Sequence, residues 1–245
     1  MSQTQRRVKA VIAYDGSAYR GFQKQKSTSN TITHTIEQAL DSLQIKGAIV
    51  GSGRTDAGVH ATGQVIHFDI PLFWQDLHKL KVTLNRKLQT IRFKHISEVP
   101  QDFHARFSAQ KRLYRYIFKT RIPSLFEQKY VSFYPEFNTE ILIEALQCFE
   151  GSHDFVYFQK TGTETHTTIR KIYRSSYTHY GAYHMIYFQA NGFLRSQVRM
   201  MVDAAMQCAR EELSIAALQE QINTEQKHTS RLAPAEGLYL ARVNY

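Results

Sequence analysis

The densest set of groups able to do chemistry lies in one short stretch, Gly51-Ser-Gly-Arg-Thr-Asp-Ala-Gly-Val-His60. Gly51, Gly53 and Gly58 permit backbone conformations with positive φ, so the spacing predicts a tight loop that projects Arg54 and Asp56 to nearly the same side. An aspartate of ordinary pKa, about 3.9, is ionised at neutral pH and can act as nucleophile or base without a cofactor, and a neighbouring arginine would hold that charge in place. In a purely structural role the same pair would be a salt-bridged turn joining two strands.

Other chemistries find no support in the residue inventory. The loop is followed by no Gly-Lys-Ser/Thr and lacks the strand, GxGxxG and helix context of a dinucleotide fold, so no nucleotide cofactor is expected. The eleven histidines contain no HExxH or comparable ligand cluster; His60 and His67 read as a loop residue and a strand residue, and no metal is expected. There is no GxSxG elbow, and Cys148 and Cys208 stand far apart without an activating context or a CxxC pairing, so both read as buried apolar residues.

What remains is a carboxylate in a basic, aromatic-rich chain. Lys and Arg number 31 against 21 Asp and Glu, a net charge of +10, which favours a polyanionic partner through attraction to phosphate. Arg112-Leu-Tyr-Arg-Tyr116 places Tyr114 and Tyr116 on one strand face, a platform on which a nucleobase could stack, although a tyrosine packed in the core would leave the same pattern. Lys24, Lys26, Arg112 and Arg115 are candidate phosphate contacts.

The elements that must position these groups follow from hydrophobic periodicity. Arg6 to Asp15 alternates Val8, Ala10, Ile12 and Tyr14 on one face and predicts a half-buried strand. A polar basic loop, Lys24 to Asn30, precedes Ile32, Ile36, Ala39, Leu40 and Leu43 at helical spacing. Strands are then expected at Ile45 to Val50 and Gln64 to Ile70, a helix at Trp74 to Leu88 and a strand at Ile91 to Val99, giving a β-α-β-β-α-β order shared by ferredoxin-like and RNA-recognition folds. Further on, Leu113 to Phe118, Ile169 to Tyr180, Tyr183 to Ala190 and Gly237 to Val243 read as strands, and Thr139 to Phe149, Phe193 to Arg210 and Ser214 to Ile222 as helices. The expected fold is α+β, two ferredoxin-like or RRM-like subdomains with a mainly antiparallel sheet and a catalytic cleft between them. Residues 1–102 would form the subdomain carrying the loop and residues 103–245 the second. With 42% hydrophobic residues, five prolines and no low-complexity tract the chain should be globular, and without a signal-like or membrane-length apolar run it is expected to be cytoplasmic.

Seven blocks, in order, resemble the tRNA pseudouridine synthase A family: Tyr14-Asp-Gly16 with Gly21-Phe-Gln23, Gly53-Arg-Thr-Asp-Ala-Gly-Val-His-Ala61, Phe103-His-Ala-Arg-Phe-Ser-Ala109, Arg112-Leu-Tyr-Arg-Tyr-Ile117, Gly151-Ser-His-Asp-Phe155, Gly192-Phe-Leu194 with Val198-Arg199, and Ala233-Pro-Ala-Glu-Gly-Leu-Tyr-Leu240. They span nearly the whole chain. The resemblance implies that Asp56 is the catalytic aspartate, that Arg54 helps displace the target nucleotide, that Arg199 pairs with Asp56, and that Tyr114 packs on the target base in a pocket lined by Leu238. It further implies a cofactor-free homodimer acting on uridines 38 to 40 in the anticodon stem-loop of tRNA. The chain departs from the resembled pattern at Ser52, at Ile32-Thr-His34, at Arg195-Ser-Gln197, and at Asp203, where glycine is usual.

Two readings compete. A non-catalytic RNA-binding module would share the β-α-β-β-α-β order but lacks the Gly-Phe-Gly-Phe-Val type of motif and has no use for Arg54 and Asp56 in a glycine loop. A metabolic enzyme with an Asp base and a small acidic substrate would account for the charge and leave the ordered motifs unexplained.

Overall fold

The computed structural model describes residues 5–162 and 165–245. The first four residues, part of the start read above as lacking a leader, lie outside the described residues. The chain divides into two compact units, Met1–Gln110 with Leu240–Tyr245, and Lys111–Tyr239.

In the first unit the element order is β1 (Gln5–Tyr14), α1 (Ile32–Asp41), β2 (Val50–Gly51), β3 (His60–Pro71), α2 (Leu77–Lys87) and β4 (Ile91–Glu98). The alternation in β1 is real: Val8, Ala10, Ile12 and Tyr14 are all buried. β1 pairs antiparallel with β3, from Gln5↔Pro71 to Tyr14↔Ala61, and with β4 on its other edge, while β2 pairs with β3, so the strands lie β4-β1-β3-β2. Both helices start at side-chain caps that satisfy otherwise orphaned N–H groups: Thr31 accepts from His34 N–H and Asp76 from Lys79 N–H. Their periodic leucines and isoleucines, Ile32, Ile36, Leu40, Leu80 and Leu84, are buried as the spacing required.

Two expectations change here. The strand expected at Ile45 to Val50 shrinks to Val50–Gly51: Ile45 and Ile49 are buried, but only the last two positions reach the β3 ladder, at Val50↔His67 and Gly51↔Ile66. Conversely β3 begins at His60, inside the glycine-rich stretch, so the loop is shorter than its motif.

The second unit contains β5 (Lys111–Lys119), β6 (Ser132–Phe133), α3 (Thr139–Cys148), β7 (Gly151–Asp154), β8 (Ile169–Tyr180), β9 (Tyr183–Ala190), α4 (Gln197–Ala209) and α5 (Ile215–Ile222). β10 (Leu238–Asn244) opens at its end. Strands run β5-β9-β8-β7 with antiparallel neighbours, and the short β6 pairs parallel with β5. β6 and β7 escaped the sequence reading because two to four residues show no period. Every residue of α4 except Arg199 is buried, so the helix runs through this unit's core. It starts at Gln197, four residues later than expected, because Ser196 adopts φ 60° and the Gln197 amide oxygen accepts from Leu194 N–H at 2.8 Å. Cys208 is buried in α4, and burial pushes its thiol up to about 12; Cys148, expected to be buried, is only half-buried. Together the elements make a mixed α+β protein with mostly antiparallel pairing, and among the described residues no helix is long and apolar enough to cross a membrane.

Candidate active site

The loop between β2 and β3 is shaped by two earlier segments, Tyr14-Asp-Gly16 and Gly21-Phe-Gln23, which close around it. The Tyr14 hydroxyl bonds Thr55 Oγ1 at 2.8 Å, and Thr55 O accepts from Phe22 N–H at 3.0 Å. Gly16 N–H donates to His60 Nδ1 at 3.0 Å. A Cβ on Gly16 would stand 2.0 Å from Val59 O, closer than any side chain tolerates, so the two backbones touch only because residue 16 is glycine. Gly51 serves the same end by another route: a Cβ there would lie 2.5 Å from the buried Phe22 ring. Ser52 donates to Gln64 Oε1 at 2.6 Å and Gln64 Nε2 returns a bond to Gly53 O at 2.9 Å, locking the other side of the loop.

Of the three loop glycines, only Gly58 takes positive φ, at 79°, as the third residue of a turn closed by Val59 N–H on Asp56 O. The expectation of positive φ at Gly51 and Gly53 is corrected, since Gly51 is needed for close packing and Gly53 has nothing within 4 Å of its missing Cβ. Thr55 is buried, Arg54 exposed and Asp56 half-buried. His60 is buried, with Nδ1 accepting from Gly16 N–H and lying 3.4 Å from Asp15 Oδ1. Asp15 also caps the following turn through Ser17 N–H. Among the described residues no group of three or more His, Cys, Asp or Glu side chains is placed to hold a metal ion.

In the second unit, Arg112, Tyr114, Tyr116 and Phe118 share the inward face of β5. Tyr114 is buried, with a sliver of exposure left, and meets Phe193 edge to face at 5.1 Å and 86°; Tyr116 is fully buried, and burial raises its phenol well above the ordinary range. Tyr116 is therefore core and cannot be part of a stacking platform. Arg199 is clamped in both directions: its Nε donates to Ala233 O at 2.6 Å, and Ala233 N–H donates to Arg199 O at 3.1 Å. The segment from Ala233 continues to Gly237, where a Cβ would meet Ile117 O at 2.7 Å and the Tyr116 ring at 2.8 Å, and then to buried Leu238. The structure thus places Arg54 and Asp56 on one loop of the first unit, and joins Arg199 to the segment leading to Leu238 in the second.

The departures from the resembled pattern are absorbed by side chains. Asp203, buried in α4 one turn beyond Arg199, accepts from Gln207 Nε2 and faces Arg231 Nε at 3.7 Å; Gln207 Nε2 also reaches Thr229 Oγ1 at 2.8 Å. Burial raises the Asp203 carboxyl above its usual range. Arg195 donates to Thr161 O at 3.2 Å, and buried Gln197 supplies the helix-start bond described above. One proposed phosphate contact needs revision: Arg112 is buried and donates to Asn191 O at 2.7 Å, whereas Lys24 pairs with Glu37 at 2.6 Å and keeps half of its side chain exposed. Sequence reasoning did not single out Gly16, Thr55, His60 or Phe193 as supports. Their only signal was position inside the ordered motif blocks.

The tRNA pseudouridine synthase family model matches residues 10–108 and 145–245. The tRNA pseudouridine synthase A of Helicobacter hepaticus is 43% identical over 97% of this chain and 98% of its own. That of Helicobacter pylori is 38% identical over 97% and 98%, and that of Wolinella succinogenes 35% identical over 96% and 93%. The chain belongs to the tRNA pseudouridine synthase family.

Proposed function

We propose that this protein isomerises uridine to pseudouridine at position 38, 39 and/or 40 in the anticodon stem-loop of tRNA, with Asp56 as the catalytic nucleophile or base and no cofactor. The observation that carries this reading is the clasped loop, in which backbone contacts from Gly16, Gly21 and Phe22 hold Arg54 and Asp56 in one fixed presentation. The reaction breaks the N1–C1′ bond of the nucleotide, turns the detached uracil, and forms a C5–C1′ bond, with the C5 hydrogen leaving as a proton and N1 gaining one. Asp56 acts on the sugar, either by attacking C1′ or by taking a ribose proton. Arg54, exposed on the same loop, helps displace the nucleotide, and the lost stacking, on the order of a few kcal/mol, is offset by contacts to the flipped base. Tyr114 and Leu238 bracket that base, and Arg199, pairing with Asp56, orients the carboxylate; the β4-β1-β3-β2 order of the first unit is the order of a ferredoxin-like subdomain and supports that part of the reading. The working form is inferred to be a cytoplasmic homodimer.

The test is tritium release from unmodified tRNA labelled at uracil C5, because that hydrogen departs only if C5 becomes the glycosidic carbon. Release is expected from the wild type and not from Asp56→Asn or Asp56→Ala, with tRNA affinity of both variants within about threefold because phosphate contacts dominate binding. Full activity in both variants would remove Asp56 from the mechanism. Binding without release by the wild type would leave a non-catalytic RNA-binding module.

A further inference from the structure

The block Phe103-His-Ala-Arg-Phe-Ser-Ala109 has no part in this chemistry, yet its turn is anchored from several sides. Phe103 O accepts from Arg7 Nη1 at 3.2 Å, and Arg7 is itself held by a bidentate pair with Asp69 at 2.9 and 3.1 Å. Ala105 N–H donates to His67 Nδ1 at 3.0 Å, and the Tyr245 hydroxyl donates to Ala105 O at 2.7 Å. Within the turn, His104 Nδ1 accepts from the N–H groups of both Arg106 and Phe107 at 3.2 Å, which fixes the ring's orientation and leaves Nε2 as the protonated nitrogen. Ser108 closes it, with its N–H on His104 O at 2.9 Å and its hydroxyl accepting from His104 N–H at 3.1 Å.

On this pinned turn the Phe107 ring is 76% exposed. It stacks on the His104 ring, with centroids 4.3 Å apart at 27°, and the exposed Arg106 places its guanidinium carbon 5.7 Å from the ring centroid. A large apolar ring that is mostly in water gains little for the fold from burial, but with its backbone already hydrogen-bonded it loses little further entropy on meeting a partner. A flat aromatic face beside a guanidinium matches a nucleotide, which offers a base to stack and a phosphate to pair. The excess of cations over the whole chain points the same way.

We propose that His104 and Phe107 form a stacking platform for an unpaired nucleobase of the RNA substrate, with Arg106 on the adjoining phosphate. The platform rests on the reading of tRNA as substrate, and it uses none of the residues assigned to catalysis. Unmodified tRNA transcript is titrated against the full-length wild type, Phe107→Leu, Phe107→Trp and Arg106→Gln over a range of salt, and tritium release is measured with each. Phe107→Leu, which keeps an apolar side chain but no ring, binds roughly 5- to 100-fold more weakly and raises KM by the same factor, with kcat within about twofold. Phe107→Trp binds within about twofold of the wild type, and Arg106→Gln lowers the slope of log affinity against log salt by about one. Wild-type affinity in Phe107→Leu overturns the platform while leaving the catalytic reading intact. A Phe107→Leu protein of smaller sedimenting mass than the wild type also overturns it, by making the ring a contact between copies of the chain. Wild-type binding that depends on Phe107 without any tritium release upholds the platform and removes the catalytic reading. No tRNA binding by the wild type removes both.

Discussion

Around Asp56 in the first unit, backbone rests on backbone: Gly16 sits under Val59 O, Gly21 lies with a missing Cβ 3.1 Å from Thr55 O, and Phe22 N–H bonds Thr55 O. Around Arg199 in the second unit, most of the fixing is done by side chains, with Gln197 at the helix start, the Arg199 guanidinium on Ala233 O, and Asp203 between Gln207 and Arg231. The difference shows where change can be tolerated. Backbone contacts admit no substitute for a missing Cβ, whereas a side-chain network can be rebuilt with other polar groups. Departures from the resembled family pattern around Arg199 are of the second kind.

The sharpest way to break this comparison is Gly16→Ala. Moving the loop by the ångström that a Cβ demands is expected to cut tritium release at least about 100-fold and to destabilise the protein by about 1–3 kcal/mol; activity within tenfold of wild type would show that the clasp does not set the position of Asp56. Next comes the aromatic strand: Tyr114→Ala should lower release roughly 10- to 100-fold and Tyr114→Phe by less than about fivefold, if the ring contributes stacking of ordinary strength. Equal rates for the two would take Tyr114 out of the base pocket, and melting temperatures separate that result from loss of its edge-to-face contact with Phe193. Asp203→Gly should cost about 1–3 kcal/mol, from lost hydrogen bonds and a glycine inside a helix, yet leave the rate within about fivefold because the Arg199 clamp on Ala233 does not pass through it. A loss as deep as that of Gly16→Ala would contradict the tolerance of the side-chain network.

The smallest effect is electrostatic and has opposite sign in the two units. Burial, helped by Arg7 and His104, lowers the His67 imidazole to about 4, consistent with Nδ1 accepting from Ala105 N–H. Between about pH 6.5 and 4 the unfolded chain takes up a proton there and the folded chain does not, so the stability contributed by His67 is present above that window and is lost as pH falls through it. Asp203 is raised by burial, so its protonated form is favoured in the fold; its contribution is full below the ordinary carboxylate pKa and is lost as pH rises through the raised one. Hydrogen exchange followed by segment should show the turn at residues 103–108 loosening on acidification from pH 7 to 5, with α4 unchanged or tighter. His67→Asn, which can still accept from Ala105, should flatten the first trend. Uniform loosening of both segments would refute the assignment.

Much of the architecture could be read from residue periods, because burial on one side writes itself locally. The alternation of β1, the helical spacing of α1 and the bounds of β8, β9 and α5 depend on neighbours within a few residues. The candidate loop was legible as well, since Arg54, Thr55 and Asp56 are adjacent in the sequence, with Arg54 and Asp56 flanking one buried side chain. Contacts between residues far apart in the chain were not. Gly51 is glycine because of Phe22, Gly16 because of Val59, and Gly237 because of Tyr116, and no local pattern distinguishes these from a glycine that needs positive φ. For the same reason Tyr114 and Tyr116 look alike in sequence, and only packing in the second unit makes one of them wholly core. By itself the sequence determined the family, the order of the longer strands and helices and the candidate catalytic carboxylate, all of which are carried by types and spacings along the chain. Tertiary structure alone decided which glycines are steric necessities, which cations are already engaged, and that Phe107 stands exposed on a rigid turn, because each of these depends on which distant atoms fill the space around a residue.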